Sequence, residues 1–312
     1  MNNIMRNQIL LSLLLSLLIV SCQSNQSTEK RSENTTSDQI ESTSSQSEKE
    51  IKAILERILA AVGNRDAQEL DDLSFDQAII AYTYPKDGQW QHKEMTIDAY
   101  LETIRDMKDP KPILESADSY EISITEDRLA SVTMPTVISK FGVASSNEVN
   151  HAIMMKDSDQ WKLLSVSWTA HRIPEEEREF DLNLCARNYA QVWGSNRPEF
   201  VAMFYAEDGS LQVNDREPAI GRNAITNVAK GFMDAFPDMI VSMDSLVTKS
   251  DKTRFYWTLT GTNNGLSGTG NKIKINGFEE WTLNDNGLIQ ESKGYFDEEE
   301  YQRQLEFGTN NK

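Results

Sequence analysis

Apolar residues recur along the chain at two spacings, and each spacing predicts a different kind of element. From Ile51 to Leu59 they follow the i, i+3, i+4, i+7 pattern of an amphipathic helix, which Gly63-Asn64 ends. Elsewhere apolar and polar residues alternate with a period of two, which is typical of half-buried strands. After the first helix, this half of the chain is predicted to form a short helix over 66–73, a strand over 75–84, a helix over 96–107, and strands over 120–124, 129–141, 147–155 and 161–169.

The second half of the chain repeats this order of elements. The predicted elements are helices over 175–193, 196–204 and 221–235, strands over 210–213, 239–247, 254–262, 271–283 and 288–296, and a last helix over 298–304. Two copies of one order predict an α+β protein with tandem domains at 50–173 and 174–308, followed by a tail at 309–312. Each domain is expected to be a curved antiparallel sheet wrapped on about three helices, and the repeat suggests a diverged duplication.

The N-terminal segment is predicted to be a targeting signal. Arg6 precedes an almost unbroken apolar run over Ile9–Val20, which is too short for a comfortable membrane span. The residues Ile19-Val20-Ser21-Cys22 resemble the bacterial lipobox, in which the cysteine becomes the lipidated first residue. An ordinary cleaved secretory signal is the alternative, but it leaves the position of Cys22 unexplained. We therefore expect a lipoprotein signal over 1–22.

The segment after Cys22 is predicted to be a flexible tether over 23–49. Its only large apolar residue up to Glu48 is Ile40, so it can bury little surface to offset the entropy of ordering. No acidic residue directly follows Cys22. We therefore expect a protein of the bacterial cell envelope that is anchored by lipid in the outer membrane and faces the periplasm.

Charge and cysteine content exclude several classes of function. The formal net charge is −18, which argues against nucleic-acid partners and against electrostatic attraction to anionic lipid. With Cys22 lipidated, Cys185 is the only other cysteine, so no intrachain disulfide is expected, and its apolar helical context favours a buried, inert thiol over a nucleophile. The three histidines form no metal motif, and no nucleotide-binding fingerprint occurs, so no cofactor is expected.

Motifs in the second half resemble a known family. These are Phe-Pro-Asp-Met at Phe236–Met239, the GTxxG pattern at Gly261–Gly265, and an aspartate followed by glutamine seven residues later at Asp297–Gln304. Together they resemble the SnoaL-like polyketide cyclases of the nuclear-transport-factor-2-like superfamily, over roughly residues 179–308. The resemblance implies a cone with a pocket between sheet and helices. The first half resembles this superfamily by its order of elements. In the cyclases a histidine often stands where this chain has Asn263.

Two carboxylates are candidates for acid/base chemistry. Counting by twos along its strand places Glu279 on one face with Ile275 and Trp281, where burial raises a carboxyl pKa. The alternative is that Gly277 marks a bulge that reverses the phase and turns Phe278 inward. The resemblance also implies that Asp297 is a pocket aspartate that acts as general acid/base. The alternative is that Asp297 caps the following helix.

Aromatic and polar residues complete the predicted sites. The candidate pocket residues of the second domain are Trp193, Phe204, Phe236, Trp257, Asn263, Trp281 and Tyr295, although several of these can be plain core. In the first domain His151 alternates in phase with Val149 and Ile153, which places it on the predicted core side, as a ligand or as a satisfied core histidine.

The sequence therefore favours a lipid-anchored protein that binds a small apolar molecule in a cone-shaped pocket. A cofactor-free cyclase, isomerase or lyase that uses carboxylate acid/base chemistry is the alternative. A scaffold that forms a homodimer through its sheet faces is a third possibility. The partners expected are a small apolar ligand and, through the lipid, a membrane.

Overall fold

A computed structural model describes residues 33–108 and 111–309. The predicted signal segment with Cys22, the first part of the predicted tether and the end of the tail lie outside the described residues. The described chain is α+β: it forms two bodies, each with an open, curved sheet and helices on one face of it.

The N-terminal body has a seven-stranded sheet. Its elements are α1 (Glu33–Asn64), α2 (Ala67–Asp72), β1 (Ser74–Lys86), β2 (Gln89–Thr96), α3 (Ile97–Asp106), β3 (Leu114–Ala117), β4 (Glu121–Thr125), β5 (Leu129–Lys140), β6 (Val143–Asp157) and β7 (Gln160–Arg172). The strand order is β2-β1-β7-β6-β5-β3, with β4 also paired to β5. Neighbouring strands are antiparallel except β1 and β7, which are parallel.

The C-terminal body has a six-stranded sheet. Its elements are a 3-10 turn (Glu175–Glu177), α4 (Leu182–Trp193), α5 (Pro198–Ala202), β8 (Tyr205–Val213), β9 (Ala219–Ile220), α6 (Arg222–Ala235), β10 (Ile240–Lys249), β11 (Lys252–Thr262), β12 (Lys272–Leu283), β13 (Ile289–Phe296) and α7 (Glu298–Phe307). The strand order is β10-β11-β12-β13-β8-β9, with β13 and β8 parallel. Read from β9, it matches the order of the first sheet read from β2.

Each body buries the apolar stripe of its helices against the concave face of its sheet. In the N-terminal body Leu55 of α1 and Leu101 of α3 pack in one cluster with Met154 of β6. In the C-terminal body Tyr189 of α4 and Ile225 of α6 belong to a second cluster of buried side chains. Burial of such apolar surface contributes roughly 25 cal/mol per Å², so the concave faces hold the stabilising core.

Polar side chains fix the ends of several elements as the sequence predicts. Asp66 caps α2, Thr96 caps α3 and Asp297 caps α7, each by accepting a hydrogen bond from a backbone N–H in the first turn. The amide of Gln304 in α7 binds both the N–H and the C=O of Lys274 on β12. The last helix is thereby fixed against the end of the sheet.

Two helix boundaries differ from the prediction. Helix α1 begins at Glu33, so residues 33–48 are helical and not a tether; extending an existing helix costs less than starting one, and Ser47 is buried, with its hydroxyl on the Asp127 carboxylate. The helix predicted from Glu175 begins only at Leu182, because Asp181 accepts a hydrogen bond from the N–H of Leu184 at 3.0 Å and caps it there.

Three short strands, β2, β3 and β9, were not predicted from the sequence. Nearly every residue of β2 is exposed, so the strand lacks the apolar alternation that reveals its partner β1. The backbone of β2 pairs with β1, and of its side chains Met95 packs against the core. Among the described residues, no helix combines the length and apolarity needed to cross a membrane.

Candidate functional site

Glu279 lies near the middle of β12, on the concave face of the C-terminal sheet. The row of paired residues across the sheet runs from Phe255 on β11 through Glu279 to Gly294 on β13 and Val213 on β8. The pairing of β11 with β12 runs without a shift past Gly277. The alternative of a bulge at Gly277 is therefore wrong, and the side chain of Glu279 points to the core side and is 6% exposed.

Neutral hydrogen-bond donors surround the Glu279 carboxyl group. Its Oε2 accepts hydrogen bonds from Ser292 Oγ at 2.6 Å, Trp281 Nε1 at 2.9 Å and the Tyr189 hydroxyl at 3.1 Å. Its Oε1 lies 3.3 Å from the same Tyr189 hydroxyl. That hydroxyl is also 2.8 Å from the hydroxyl of Tyr205. Three hydrogen bonds therefore hold Oε2 in place, whereas Oε1 can accept a further hydrogen bond.

Burial controls the protonation of this group. It raises the pKa of Glu279 above the usual range, and the hydrogen bonds from Ser292, Trp281 and the two tyrosines act in the opposite direction. Burial also raises the pKa of both Tyr189 and Tyr205, and the charge of Glu279 adds to that increase. The tyrosines therefore stay protonated as donors, and burial favours the protonated form of Glu279 more than in an exposed glutamate.

An apolar pocket lies beside Glu279 between the sheet and helices α4 and α6. Its lining residues are Trp193, Leu211, Val213, Phe232, Val241, Trp257, Leu259, Glu279, Gly294 and Phe296. The cavity volume is about 50 Å³. That exceeds the roughly 10–15 Å³ needed by one water molecule but is well below the ~150 Å³ of a cavity that holds benzene. A larger ligand would occupy it with one end only.

One residue of the pocket wall, Trp257, carries a polar atom that has no hydrogen-bond partner among the described residues. The indole Nε1 of Trp257 is buried and makes no hydrogen bond to any part of the chain that the structure describes. The indole packs edge-on against Phe296, and its six-membered ring lies over Gly277, where a Cβ atom would come within 2.6 Å of the ring. An indole N–H is a donor only, so this buried donor of a pocket residue has no acceptor among the described residues.

The structure brings three of the predicted residues, Trp193, Trp257 and Glu279, together around the pocket. Trp281 is fully buried next to them and serves Glu279 as a donor. Phe204 and Phe236 are buried in the core cluster and do not line the cavity. Aromatic character alone does not separate wall from core, because both environments are apolar.

The remaining predicted residues of this body lie away from the pocket. Asp297 is exposed and caps α7 through the N–H of Glu300 at 2.9 Å. Asn263 holds the loop after β11, where its amide binds the backbone of Thr269 and Ala235. Tyr295 is exposed on the outer face of the sheet, with its ring 5.1 Å from that of Phe278. Of the two candidate carboxylates, only Glu279 reaches the cavity.

The placement of His151 on the core side is wrong. His151 is exposed on the outer face of β6, 3.3 Å from the Thr133 hydroxyl, while its neighbours Asn150 and Ala152 are buried. The buried face of β6 carries the polar residues Glu148 and Asn150, so hydrophobic alternation assigned the residues of this strand to the wrong faces of the sheet. His151 lines a shallow groove on that outer face together with His92, with a volume of about 230 Å³.

Sequence reasoning missed the partners of Glu279: Tyr189, Tyr205 and Ser292. Ser292 is opposite Trp281 in the register of β12 and β13, so pairing the two predicted strands from their turn could have found it. The tyrosines come from α4 and the start of β8, and their meeting depends on how the helix packs on the sheet. No spacing in the sequence encodes that contact.

Other reactive groups of the described chain offer no second chemistry in this body. Burial raises the pKa of the Cys185 thiol to about 12, which leaves it protonated and unreactive. Within residues 33–108 and 111–309, no group of three or more His, Cys, Asp or Glu side chains is arranged to hold a metal ion.

Comparison with known proteins bears on the C-terminal body. A sequence model of the family of SnoaL-like polyketide cyclases matches residues 183–305, which is less than half of the chain. The C-terminal body is thus similar in sequence to the SnoaL-like family over most of its length. No curated protein matches the chain.

Several solved structures are similar to part of the chain. A protein with a ketosteroid isomerase-like fold from Catenulispora acidiphila DSM 44928, in complex with trimethylamine, is 13% identical over 38% of this chain and 89% of its own, with a TM-score of 0.35. The epoxide hydrolase/cyclase-like enzyme SalBIII, described in pyran ring formation in the polyether salinomycin, is 16% identical over 36% and 87%, with a TM-score of 0.33. An NTF-2-like protein of unknown function from Silicibacter pomeroyi DSS-3 is 14% identical over 41% and 98%, with a TM-score of 0.32.

Proposed function

We propose that the C-terminal body binds a small, largely apolar molecule that carries one polar group, with that group placed at Glu279. The observation that carries the proposal is the composition of the pocket wall. Its lining residues are apolar except for the carboxyl group of Glu279 and the indoles of Trp193 and Trp257, and the Trp257 N–H has no partner among the described residues. Few but convergent polar groups in an apolar cavity are typical of small-molecule sites.

The Glu279 carboxyl group and the Trp257 N–H indicate which polar group the ligand carries. A carbonyl or hydroxyl oxygen accepts a hydrogen bond from the Trp257 N–H. A hydroxyl also donates to the Glu279 carboxylate, and a carbonyl accepts from the carboxylic acid. Burial raises the pKa of Glu279, which favours the carboxylic acid that can donate to a carbonyl. A ketone, enol or alcohol on a small hydrocarbon frame therefore fits the pocket.

Acid/base catalysis at the same position is the second candidate function. A carboxyl group with a raised pKa, buried beside an apolar cavity, is suited to move a proton to or from a bound carbonyl compound. Three donors hold its Oε2, which leaves Oε1 to face a reacting atom. The two functions differ in one respect: Glu279→Gln should abolish turnover of a substrate while leaving its binding largely intact.

We further propose that the chain is held at the bacterial cell envelope by lipid on Cys22. The support is the sequence pattern alone, an apolar run that ends in Ile-Val-Ser-Cys. Such an anchor would keep the pocket at the membrane surface, where apolar molecules are concentrated.

Native mass spectrometry of the full chain, purified gently from its own host, tests both proposals. We expect a bound small molecule that is released on denaturation, and a denatured mass that contains a lipid on Cys22 and lacks residues 1–21. Gly294→Ala should reduce the bound fraction, because the added methyl group enters the pocket wall at ordinary contact distance, 3.5 Å from Glu279 Cγ. Gly231→Ala, on the exposed face of α6 with no atom within 4 Å of the new methyl group, is the matched control.

Two outcomes would count against these proposals. A protein that carries no small molecule, or one whose bound molecule is retained equally by both glycine variants, removes support for the pocket. An unmodified N-terminus rules out the anchor without affecting the pocket.

A further inference from the structure

The concave face of the N-terminal sheet holds a polar cluster that the proposed function does not use. Glu148 and Asn150 of β6 point inward and are 7% and 4% exposed. Glu115 of β3 reaches the same place, where its Oε1 accepts a hydrogen bond from Asn150 Nδ2 at 2.7 Å. Glu115, Glu148 and Asn150 are called the N-terminal carboxyl cluster below.

The two carboxyl groups of this cluster interact with each other and are not neutralised by a cation. Burial raises the pKa of Glu148 to about 7, and the charge of Glu115 adds to the increase. Burial likewise raises the pKa of Glu115. Across the described residues, no Lys or Arg side chain pairs with either group. Buried carboxylates are normally paired or bound to a cation, so the cluster has an excess of acceptors and of negative charge.

Asn150 has a buried oxygen atom that lacks a hydrogen-bond donor among the described residues, which is independent evidence for a ligand at this cluster. Its Nδ2 donates to Glu115 and to Thr136 Oγ1, but its Oδ1 is buried and has no hydrogen-bond partner in the described chain. Because the Nδ2 of this short side chain contacts Glu115, the Oδ1 lies within the same cluster. A buried acceptor without a donor destabilises the folded protein. A donor supplied by a ligand would remove that destabilisation.

Aromatic rings border the cluster on the same face. Asn150 pairs with Trp168 on β7, and Trp168 pairs with Tyr82 on β1. The rings of Trp168 and Tyr82 stack with their centroids 4.9 Å apart, and both are only partly buried. From α3, Tyr100 lies close enough that the charges of Glu115 and Glu148 add to the effect of burial in raising its pKa.

We propose that the N-terminal carboxyl cluster binds the ammonium group of a small primary amine with an apolar body. An ammonium group has three N–H donors and no acceptor, which matches two carboxyl groups and the free Oδ1 of Asn150. Aromatic faces attract cations and apolar groups alike, so Tyr82 and Trp168 suit the remainder of such a molecule. None of these residues belongs to the pocket of the C-terminal body.

The proposal has a characteristic dependence on pH. A cation binds the ionised form of Glu148, whose pKa in the free protein is about 7, so binding displaces a proton and strengthens as pH rises through that value. The other titratable groups facing the pair are Tyr82 from β1, Tyr100 from α3 and Tyr120, which precedes β4. Tyrosines do not titrate near neutral pH, so the change belongs to the carboxyl pair.

Isothermal titration of the full chain with benzylammonium chloride tests the proposal. We expect saturable binding that strengthens by roughly tenfold between about pH 6 and about pH 8. Benzyl alcohol has the same shape without the charge and suits the pocket of the C-terminal body, so any binding of the alcohol should not change between about pH 6 and about pH 8 or with Glu148→Gln. Glu148→Gln keeps the shape of the side chain and should weaken binding of the amine by roughly tenfold.

Glu121→Gln is the matched control, because Glu121 is an exposed carboxylate on β4 of the same body and its loss changes the net charge equally. It should leave the affinity unchanged. Amine binding that is independent of pH, amine binding that Glu148→Gln leaves unchanged, or no saturable binding of the amine would overturn the proposal. The pH series on the unaltered protein decides between these outcomes even if Glu148→Gln does not fold.

Discussion

At the scale of single residues, Glu279 shows how a buried carboxyl group can remain titratable. Burying a charge is costly unless hydrogen bonds compensate it. Here the compensation comes from neutral donors, Ser292 and Trp281 with the hydroxyl of Tyr189, and not from a cation. An ion pair would hold the carboxylate ionised, whereas neutral donors leave its pKa raised. Burial thus shifts this residue towards the protonated form, which can donate a hydrogen bond as well as accept one.

Replacement of Glu279 tests this network. Glu279→Leu removes the acceptor of three donors, each of which costs about 1–3 kcal/mol when left buried and unsatisfied, so the free energy of unfolding should fall by several kcal/mol. Glu279→Gln keeps an oxygen for the same donors and should change it by about 1 kcal/mol or less. Urea unfolding of both variants measures the difference. Equal stability of the two variants would show that the donors do not depend on this side chain.

The sequence predicts the position of Glu279 but not its surroundings. Its inward direction follows from the period of two along β12, with Ile275 and Trp281 on the same side. Its phenol partners follow from packing of α4 over the sheet, which no local pattern contains. The same alternation predicted the wrong side of the sheet for His151, because β6 buries the polar residues Glu148 and Asn150. Alternation identifies a buried face only where that face is apolar.

At the scale of elements, β12 shapes the pocket through a glycine. Gly277 pairs with Trp257 of β11, and the indole occupies the space above it. Any side chain at position 277 would push the ring towards the cavity or displace the strand. Most element positions follow from the sequence because caps such as Asp66, Thr96 and Asp297 coincide with changes of periodicity. The position of the edge strand β2 does not follow from the sequence, since almost all of its residues are exposed and show no apolar alternation.

Gly277→Ala tests this use of glycine. The new methyl carbon would lie 2.6 Å from Trp257 Cζ2 and still closer to the backbone oxygen of Tyr295. Overpacking of this kind costs typically about 1–3 kcal/mol, which thermal or urea unfolding measures. Gly231→Ala, on the exposed face of α6, should instead stabilise the protein by about 0.5–1 kcal/mol, because alanine favours a helix. The interpretation fails if the two variants shift stability in the same direction.

At the scale of the whole molecule, the two bodies place a buried glutamate on equivalent strands. β6 and β12 hold the same position in the two strand orders, and each carries its glutamate, Glu148 or Glu279, on the concave face. The surroundings differ: a second carboxyl group accompanies Glu148, whereas neutral donors surround Glu279. The same architecture is thereby suited to a cationic ligand in one body and to a neutral one in the other.

The most direct test of the central claim is a titration of the full chain with butan-2-one, followed by the indole N–H signals in a proton–nitrogen correlation spectrum. Trp257 and Trp161 both have a buried Nε1 without a partner in the described chain, but only Trp257 lines the pocket. We predict a saturable shift of the Trp257 signal, weakened by Gly294→Ala, while the Trp161 signal stays in place. A Trp257 signal that does not move, or moves no more than that of Trp161, would contradict the account.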